Sequence, residues 1–277
     1  MSPDEYCQQR AAGSGSSFYY SFRFLPTPQR RAITALYAFC REVDDVVDEV
    51  SDPAVARAKL AWWADELNRI YRGSPSHPVA QALTSVVRDY ALERDRLMDV
   101  LEGMRMDLDY NRYPDFATLE VYCHRVAGVV GMLSAGIFGW SDSRTLEYAR
   151  TLGIAFQLTN IIRDVGEDVR RNRVYIPLDD LHRFELTTDD LILLREDDRF
   201  SRLMAFQIAR AREYYSRALA LLPAVDRHAQ RPGLAMAAIY RALLDEIASL
   251  EGKVLNQRIA LTPMRKLWLA WKTWVSN

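Results

Sequence analysis

Two sets of oxygen-bearing side chains recur at helical spacing in this chain, each beside an apolar stripe. The first is Asp44 and Asp48, at i and i+4, preceded by Tyr37 and Arg41. On a helix turning ~100° per residue, with Ile33 as zero, Cys40 and Val47 fall within about 40° and define a buried stripe. Tyr37, Asp44, Asp48 and Arg41 fall at roughly 40°, 20°, 60° and 80°, bordering or inside that stripe, while Glu42 and Glu49 project to the opposite, solvated side. The second set is Gln157, Asn160, Asp164 and Asp168, all within about 80° on one face. It adjoins the stripe of Ile154, Leu158, Ile161 and Val165, with Arg163 and Glu167 further round.

Carboxylates one turn apart repel, and burying them is costly without a compensating cation. A hard divalent cation, which takes oxygen ligands, resolves both problems. One D-x-x-x-D is common on solvated helices; two beside core stripes point to a site. An EF-hand is excluded because Val46 stands where an oxygen ligand is needed and no glycine follows Asp48. A di-iron centre needs Glu-x-x-His motifs, which His77, His124, His182 and His228 do not supply. Mg²⁺ shared between carboxylates and a substrate's phosphates fits better. Two such sets facing each other would neutralise charge on a leaving diphosphate and so drive ionisation of an organic diphosphate. Arg41, Arg163, Tyr37 and Tyr175 could add donors. The cation left behind would need a dry, aromatic cavity, and Phe18, Tyr19, Tyr20, Phe22 and Phe24 cluster just before the first acidic helix.

The elements that must carry these residues are helices. The 277 residues include 12 glycines and 11 prolines, about 8% against an average near ~12%. Breakers such as Pro26-Thr27-Pro28, Asp52-Pro53, Tyr113-Pro114-Asp115 and Thr262-Pro263 separate helical patterns of roughly 15 to 30 residues, and no alternating β-branched run competes. The expectation is an all-α bundle in one domain, with helices over 27–50 and 143–171. The apolar run 126–140 falls short of the ~18 to 20 residues that span a bilayer. It reads as a central buried helix whose Gly128, Gly131, Gly136 and Gly139 permit close approach. Hydrophobic residues make up 49%, enough for a large core, and a net charge of -1 gives no general attraction to nucleic acid. Four lysines, Lys59, Lys253, Lys266 and Lys272, leave the rest of the 36 basic residues as arginines. Cys7, Cys40 and Cys123 form neither a disulfide framework nor a zinc motif, which suits a reducing cytosol. The polar N-terminus lacks signal-peptide character.

The stretches SFYYSFRFLP (17–26), ALYAFCR (35–41) with VDDVVDE (43–49), Tyr122-Cys123-His124 with Val126-Ala127-Gly128, and QLTNIIRDVGED (157–168) continued by RVYIP (173–177) resemble the squalene/phytoene synthase family. The resemblance covers about residues 14–272. It implies a helical bundle of the isoprenoid (class I terpenoid) synthase type, a single domain over 1–277, with a central cavity. Within the family the pattern is most similar to the bacterial hopanoid-pathway branch, on the cues SSFYYSF (16–22), the 41–49 motif and RKLWLA (265–270). That implies head-to-head joining of two farnesyl diphosphates to presqualene diphosphate, with Mg²⁺-assisted ionisation, cyclopropane closure and release of diphosphate. The resemblance further implies Asp44, Asp48, Asn160, Asp164 and Asp168 as metal ligands. It makes Tyr37, Arg41, Gln157, Arg163, Tyr240 and Arg258 contacts to the prenyl diphosphates, and Tyr122 and Tyr175 tyrosines near the reacting centre. Ser16 and Ser17 belong to a loop that approaches a diphosphate, although Ser14 and Gly15 depart from the His-Ser of some relatives. No nucleotide fingerprint appears, so no NADPH step is expected, and a downstream reductase is a plausible partner.

The segment 263–275 carries Trp268, Trp271 and Trp274 beside Arg265, Lys266 and Lys272. Such a helix either packs on the bundle or docks a cytoplasmic protein peripherally on the inner face of the cell membrane. Chain length of the substrate is not encoded in any local motif. A phytoene- or diapophytoene-type synthase, a full squalene synthase and a catalytically silent scaffold that binds prenyl lipids remain as alternatives.

Overall fold

A computed structural model describes residues 1–13, 21–50 and 52–276. Ser16 and Ser17, with Phe18, Tyr19 and Tyr20, lie outside the described residues. Helices account for the architecture in chain order: α1 (Pro3–Gly13), α2 (Thr27–Glu49), α3 (Pro53–Arg72), α4 (Pro78–Asp89), α5 (Arg94–Asp109), α6 (Phe116–Cys123), α7 (Val129–Phe138), α8 (Arg144–Arg170), α9 (Leu178–Arg183), α10 (Thr188–Ile192), α11 (Asp198–Leu221), α12 (Arg231–Ser249) and α13 (Pro263–Ser276). Among the described residues there is no strand, only an isolated bridge between Arg112 and Val174.

The two acidic helices begin and end within about a residue of their expected bounds. Pro28 occupies the first turn of α2, but Thr27 is already helical and no side chain caps that end. Elsewhere caps do set the boundaries: Asp52 accepts from the Ala54 N–H, Asp115 from Thr118 and Asp197 from Arg199 and Phe200. The N-terminal helix α1 was not marked by any motif; it lies against α2 and α4. Its Tyr6 and Arg10 engage Glu42, which is therefore tucked between helices rather than solvated. The real core face of α2 is also wider than the Ile33–Val47 stripe, because Leu36, Phe39, Val43 and Val46 are buried beside it.

The apolar run expected over 126–140 is the second half of a longer helix, Phe116–Phe138, long and apolar enough to cross a membrane by length and composition. Half of its apolar window is buried inside the bundle. Its middle, His124–Gly128, is a π turn in which the Val129 N–H donates to the His124 carbonyl five residues back. Helix α8 runs through the centre, packed on α11, α7, the π turn and α12. A Cβ at Gly131 would stand 2.3 Å from the Ala149 carbonyl, and one at Gly153 2.3 Å from that of Ala127, so both glycines allow backbone-to-backbone contact. Gly136 makes only ordinary contact with Leu92, and Gly139 is the left-handed residue after α7, with φ 93°.

Candidate active site

Helices α2, α5, α6, α7, α8 and α12, with segment 258–261, enclose a cavity of about 660 Å³. From Tyr148 to Arg163 its wall follows α8 for roughly 22 Å at ~1.5 Å per residue. Phe22, Phe138, Leu152, Met236 and Leu243 make most of it apolar, while Arg41, Asp44, Asn160, Arg163, Arg258 and Lys266 make one end polar. Of the residues marked by sequence, Tyr37, Arg41, Asp44, Tyr122, Gln157, Asn160, Arg163, Tyr240 and Arg258 line this space. Asp48, Asp164, Asp168 and Tyr175 do not line it, although Asp164 is bonded to the lining Arg163 and Tyr175 shares Asp107 with the lining Tyr122. Phe24, expected near the cavity, packs instead on Trp274 with ring centres 5.6 Å apart.

Among the described residues the acids of the two motifs form ion pairs with arginines, except Asp168. Arg41 donates to Asp44 at 2.7 Å and to Asp45 at 2.7 Å, and Asp45 also pairs with Arg10. Arg171 and Arg173 converge on Asp48 at 3.1 and 2.6 Å, with Arg173 also donating to the Val47 carbonyl. Arg163 grips both oxygens of Asp164, and Arg258 donates to the same carboxylate at 3.0 Å. Arg258 reaches it because Gly166 lets the 254–258 segment lie on α8: a Cβ there would meet the Leu255 carbonyl at 2.3 Å. Arg170 fixes that segment by donating to the Leu255 carbonyl at 2.9 Å. Asp168 forms no ion pair among the described residues.

Burial separates two kinds of acid. Glu66 and Asp226 are buried, but backbone N–H groups and hydroxyls donate to them and hold them below the usual carboxylate range: Ser76 and His77 for Glu66, Thr145, Asp142 and Ser141 for Asp226. These are structural. Asp44 and Asp168 go the other way. Burial first, then Asp48, raises Asp44 to about 6; burial first, then Asp164, raises Asp168 to about 8. The Asp44 side chain keeps 38% exposure and lines the cavity. Desolvated carboxylates that repel one another mark a functional site.

The donor set fits a divalent cation. It is all oxygen, and the buried Asn160 Oδ1 has no hydrogen-bond partner, although its amide donates to Gln157 at 3.3 Å. Among the described residues no three acids, histidines or cysteines converge into a ready-made cage. Lys266, read from sequence only as a basic flank, proves to be part of the site: burial, then the charges of Arg163 and Arg258, lower its amine. Its signal was hidden, because its partners arrive from α8 and the 258 segment.

A folded-state value above the unfolded one means that the folded protein binds more protons. Asp44 and Asp168 therefore cost stability as pH rises from about 4 through 6 and 8. His77 and His124, lowered by burial, oppose this trend. Asp168→Asn isolates the carboxylate: in metal-free protein it should raise the melting temperature at about pH 8 and much less at about pH 5. An equal effect at both pH values would show that Asp168 is not held under repulsion.

The squalene/phytoene synthase family model matches residues 11–265. The chain is 38% identical to a phytoene synthase of Arthrospira platensis, over 95% of this chain and 89% of that one. It is 37% identical to a 15-cis-phytoene synthase of Synechocystis sp., over 96% and 84%. Among solved structures it is similar to a ligand-bound dehydrosqualene synthase, with TM-score 0.87, 28% identity and coverage of 99% and 96%. It is also similar to the squalene synthase HpnC of Alicyclobacillus acidocaldarius, with TM-score 0.80, 28% identity and coverage of 90% and 94%.

Proposed function

The chain belongs to the squalene/phytoene synthase family, and from that premise we propose that it joins two farnesyl diphosphates head to head, giving presqualene diphosphate, free diphosphate and a proton. The observation that carries this reading is one apolar cavity with Arg41 and Asp44 of α2 facing Asn160 and Arg163 of α8 at its polar end. Asp44 and Asp48 on one side, and Asn160, Asp164 and Asp168 on the other, would hold Mg²⁺. When bound, the metal supplies charge neutralisation for the departing diphosphate. With the metal held by these acids, Arg41, Arg163 and Arg258, now paired with them, would be free to donate to diphosphate oxygens. Gln157, Tyr37 and Tyr240 orient the prenyl diphosphates. The allylic cation would lie in the apolar part of the cavity that Tyr122 and Phe22 line.

Purified protein incubated with Mg²⁺, without NADPH, and with farnesyl or geranylgeranyl diphosphate separately, followed by mass spectrometry, tests the reading. Presqualene diphosphate from the shorter substrate is expected. The relatives named phytoene synthases favour a second reading, condensation of the longer chain to phytoene, and phytoene from geranylgeranyl diphosphate alone would establish it instead. The solved structures named for squalene-type products support the first.

Membrane docking belongs to the same proposal, with a changed cast. Trp274 packs on Phe24 with Arg231 over its ring, so it is not available. Met264, Leu267, Trp268, Trp271 and Val275 are exposed and share one stripe of about 100° on α13. Arg265 and Lys272 flank it. A lipid surface carrying anionic headgroups suits that pattern, and the neighbouring Lys266 and Leu261 line the cavity, so a substrate would enter from the docked side. Trp268→Glu with Trp271→Glu should abolish sedimentation with anionic liposomes while leaving turnover of detergent-dispersed substrate; unchanged sedimentation would sink the docking.

A further inference from the structure

Asp107 lies on neither acidic motif. It falls near the end of α5, within roughly 80° of Leu97, Val100 and Met104, so an ionisable side chain occupies a position that periodicity assigns to core. Tyr122 donates from its hydroxyl to Asp107 Oδ2 at 2.8 Å, and Tyr175 to Oδ1 at 2.7 Å. The two rings stack with centres 5.3 Å apart, and Tyr113 covers both at 5.5 and 5.7 Å. No ion pair neutralises Asp107 among the described residues. Burial, only partly offset by the two hydroxyls, raises it to about 7. Unlike Glu66 and Asp226, it receives no backbone donors, only groups that can themselves pass on a proton. Tyr122 also lines the cavity, so it links the buried Asp107 carboxylate to the space where substrate would sit.

We propose that Asp107 is a positioning residue that takes up, through Tyr122, the proton lost when the condensation closes its three-membered ring. This rests on the head-to-head reading above. After the new carbon–carbon bond forms, the cationic adduct gives a proton to the Tyr122 oxygen as the Tyr122 proton moves to Asp107. The electron pair of the broken C–H bond becomes the third side of the ring, and the positive charge of the adduct is cancelled by the carboxylate. Tyr175 holds the other Asp107 oxygen, so that the carboxylate keeps its orientation through the transfer.

Asp107→Asn preserves shape and a hydrogen-bond acceptor but cannot take the proton. With farnesyl diphosphate and Mg²⁺ it should release diphosphate within about tenfold of the wild-type rate and with little change in KM. The cyclopropyl product formed per diphosphate released should fall by about 10²-fold or more, replaced by prenyl alcohols from capture of the cation by water. Asp107→Glu should restore part of the product. Tyr122→Phe, which keeps the ring, should show the same partition and covers the case in which Asp107→Asn does not fold. A wild-type product ratio in both variants overturns the inference, as does parallel loss of diphosphate release and product in variants with unchanged melting temperature. If the wild-type protein consumes no prenyl diphosphate, the reading of the site falls first; if it does and the partition is unmoved, only Asp107 loses its role.

Discussion

Asp164→Asn should lower Mg²⁺-dependent release of diphosphate by at least about 10³-fold, a loss of ~4 kcal/mol in transition-state stabilisation. The substitution keeps the volume and one acceptor for Arg163 and Arg258, so the helix and its packing survive. What disappears is the negative charge in the second oxygen set, between Asn160 and Asp168 on one face of α8. On the proposed function, the metal would then lack its charged anchor on that side and the leaving diphosphate its neutraliser. Diphosphate release, followed beside a thermal melt, decides the matter: activity within about tenfold of wild type in a folded variant would remove Asp164 from the site.

Arg163→Gln should cost about 10²-fold in kcat/KM, through both a raised KM and a lowered kcat. Arg163 is the only guanidinium bonded to both oxygens of Asp164 among the described residues, and it also lines the cavity. On the proposed function it orients a metal-binding acid in the free chain and would face the diphosphate when that acid holds metal. A neutral amide does neither. Steady-state kinetics against the prenyl diphosphate give the split, and an effect on KM alone would reduce Arg163 to ground-state binding.

Local periodicity was enough to find α2, α8 and the acids on them, since the face a residue occupies is a property of its own helix. What periodicity could not supply were partners from elsewhere in the fold. Glu42 read as solvated because nothing in α2 announces Tyr6 and Arg10. Asp48 read as free for metal, yet Arg171 and Arg173 reach it from the turn after α8. Lys266 looked like a membrane flank until α13 was set beside Arg163. The three tryptophans looked equivalent, although only two face outward. Asp107 was legible in principle as a charge on the apolar stripe of α5, but its meaning depends on two tyrosines that sequence separates by 53 residues. The cavity's length is set by how α8 and α12 run alongside each other, which no motif records.

The π turn at His124–Gly128 has a geometric consequence. In a regular helix Tyr122, Val126, Ala127, Val130, Gly131 and Ser134 would fan over about 180°, half of them facing away from any one space. Winding five residues at i→i+5 removes roughly 90° of rotation, which gathers them within about 100° on the cavity wall. The single extra residue acts as a phase adjuster. It lets the first half of the helix be set by Asp107 and the second half by the glycine contact with α8, without either dictating the other.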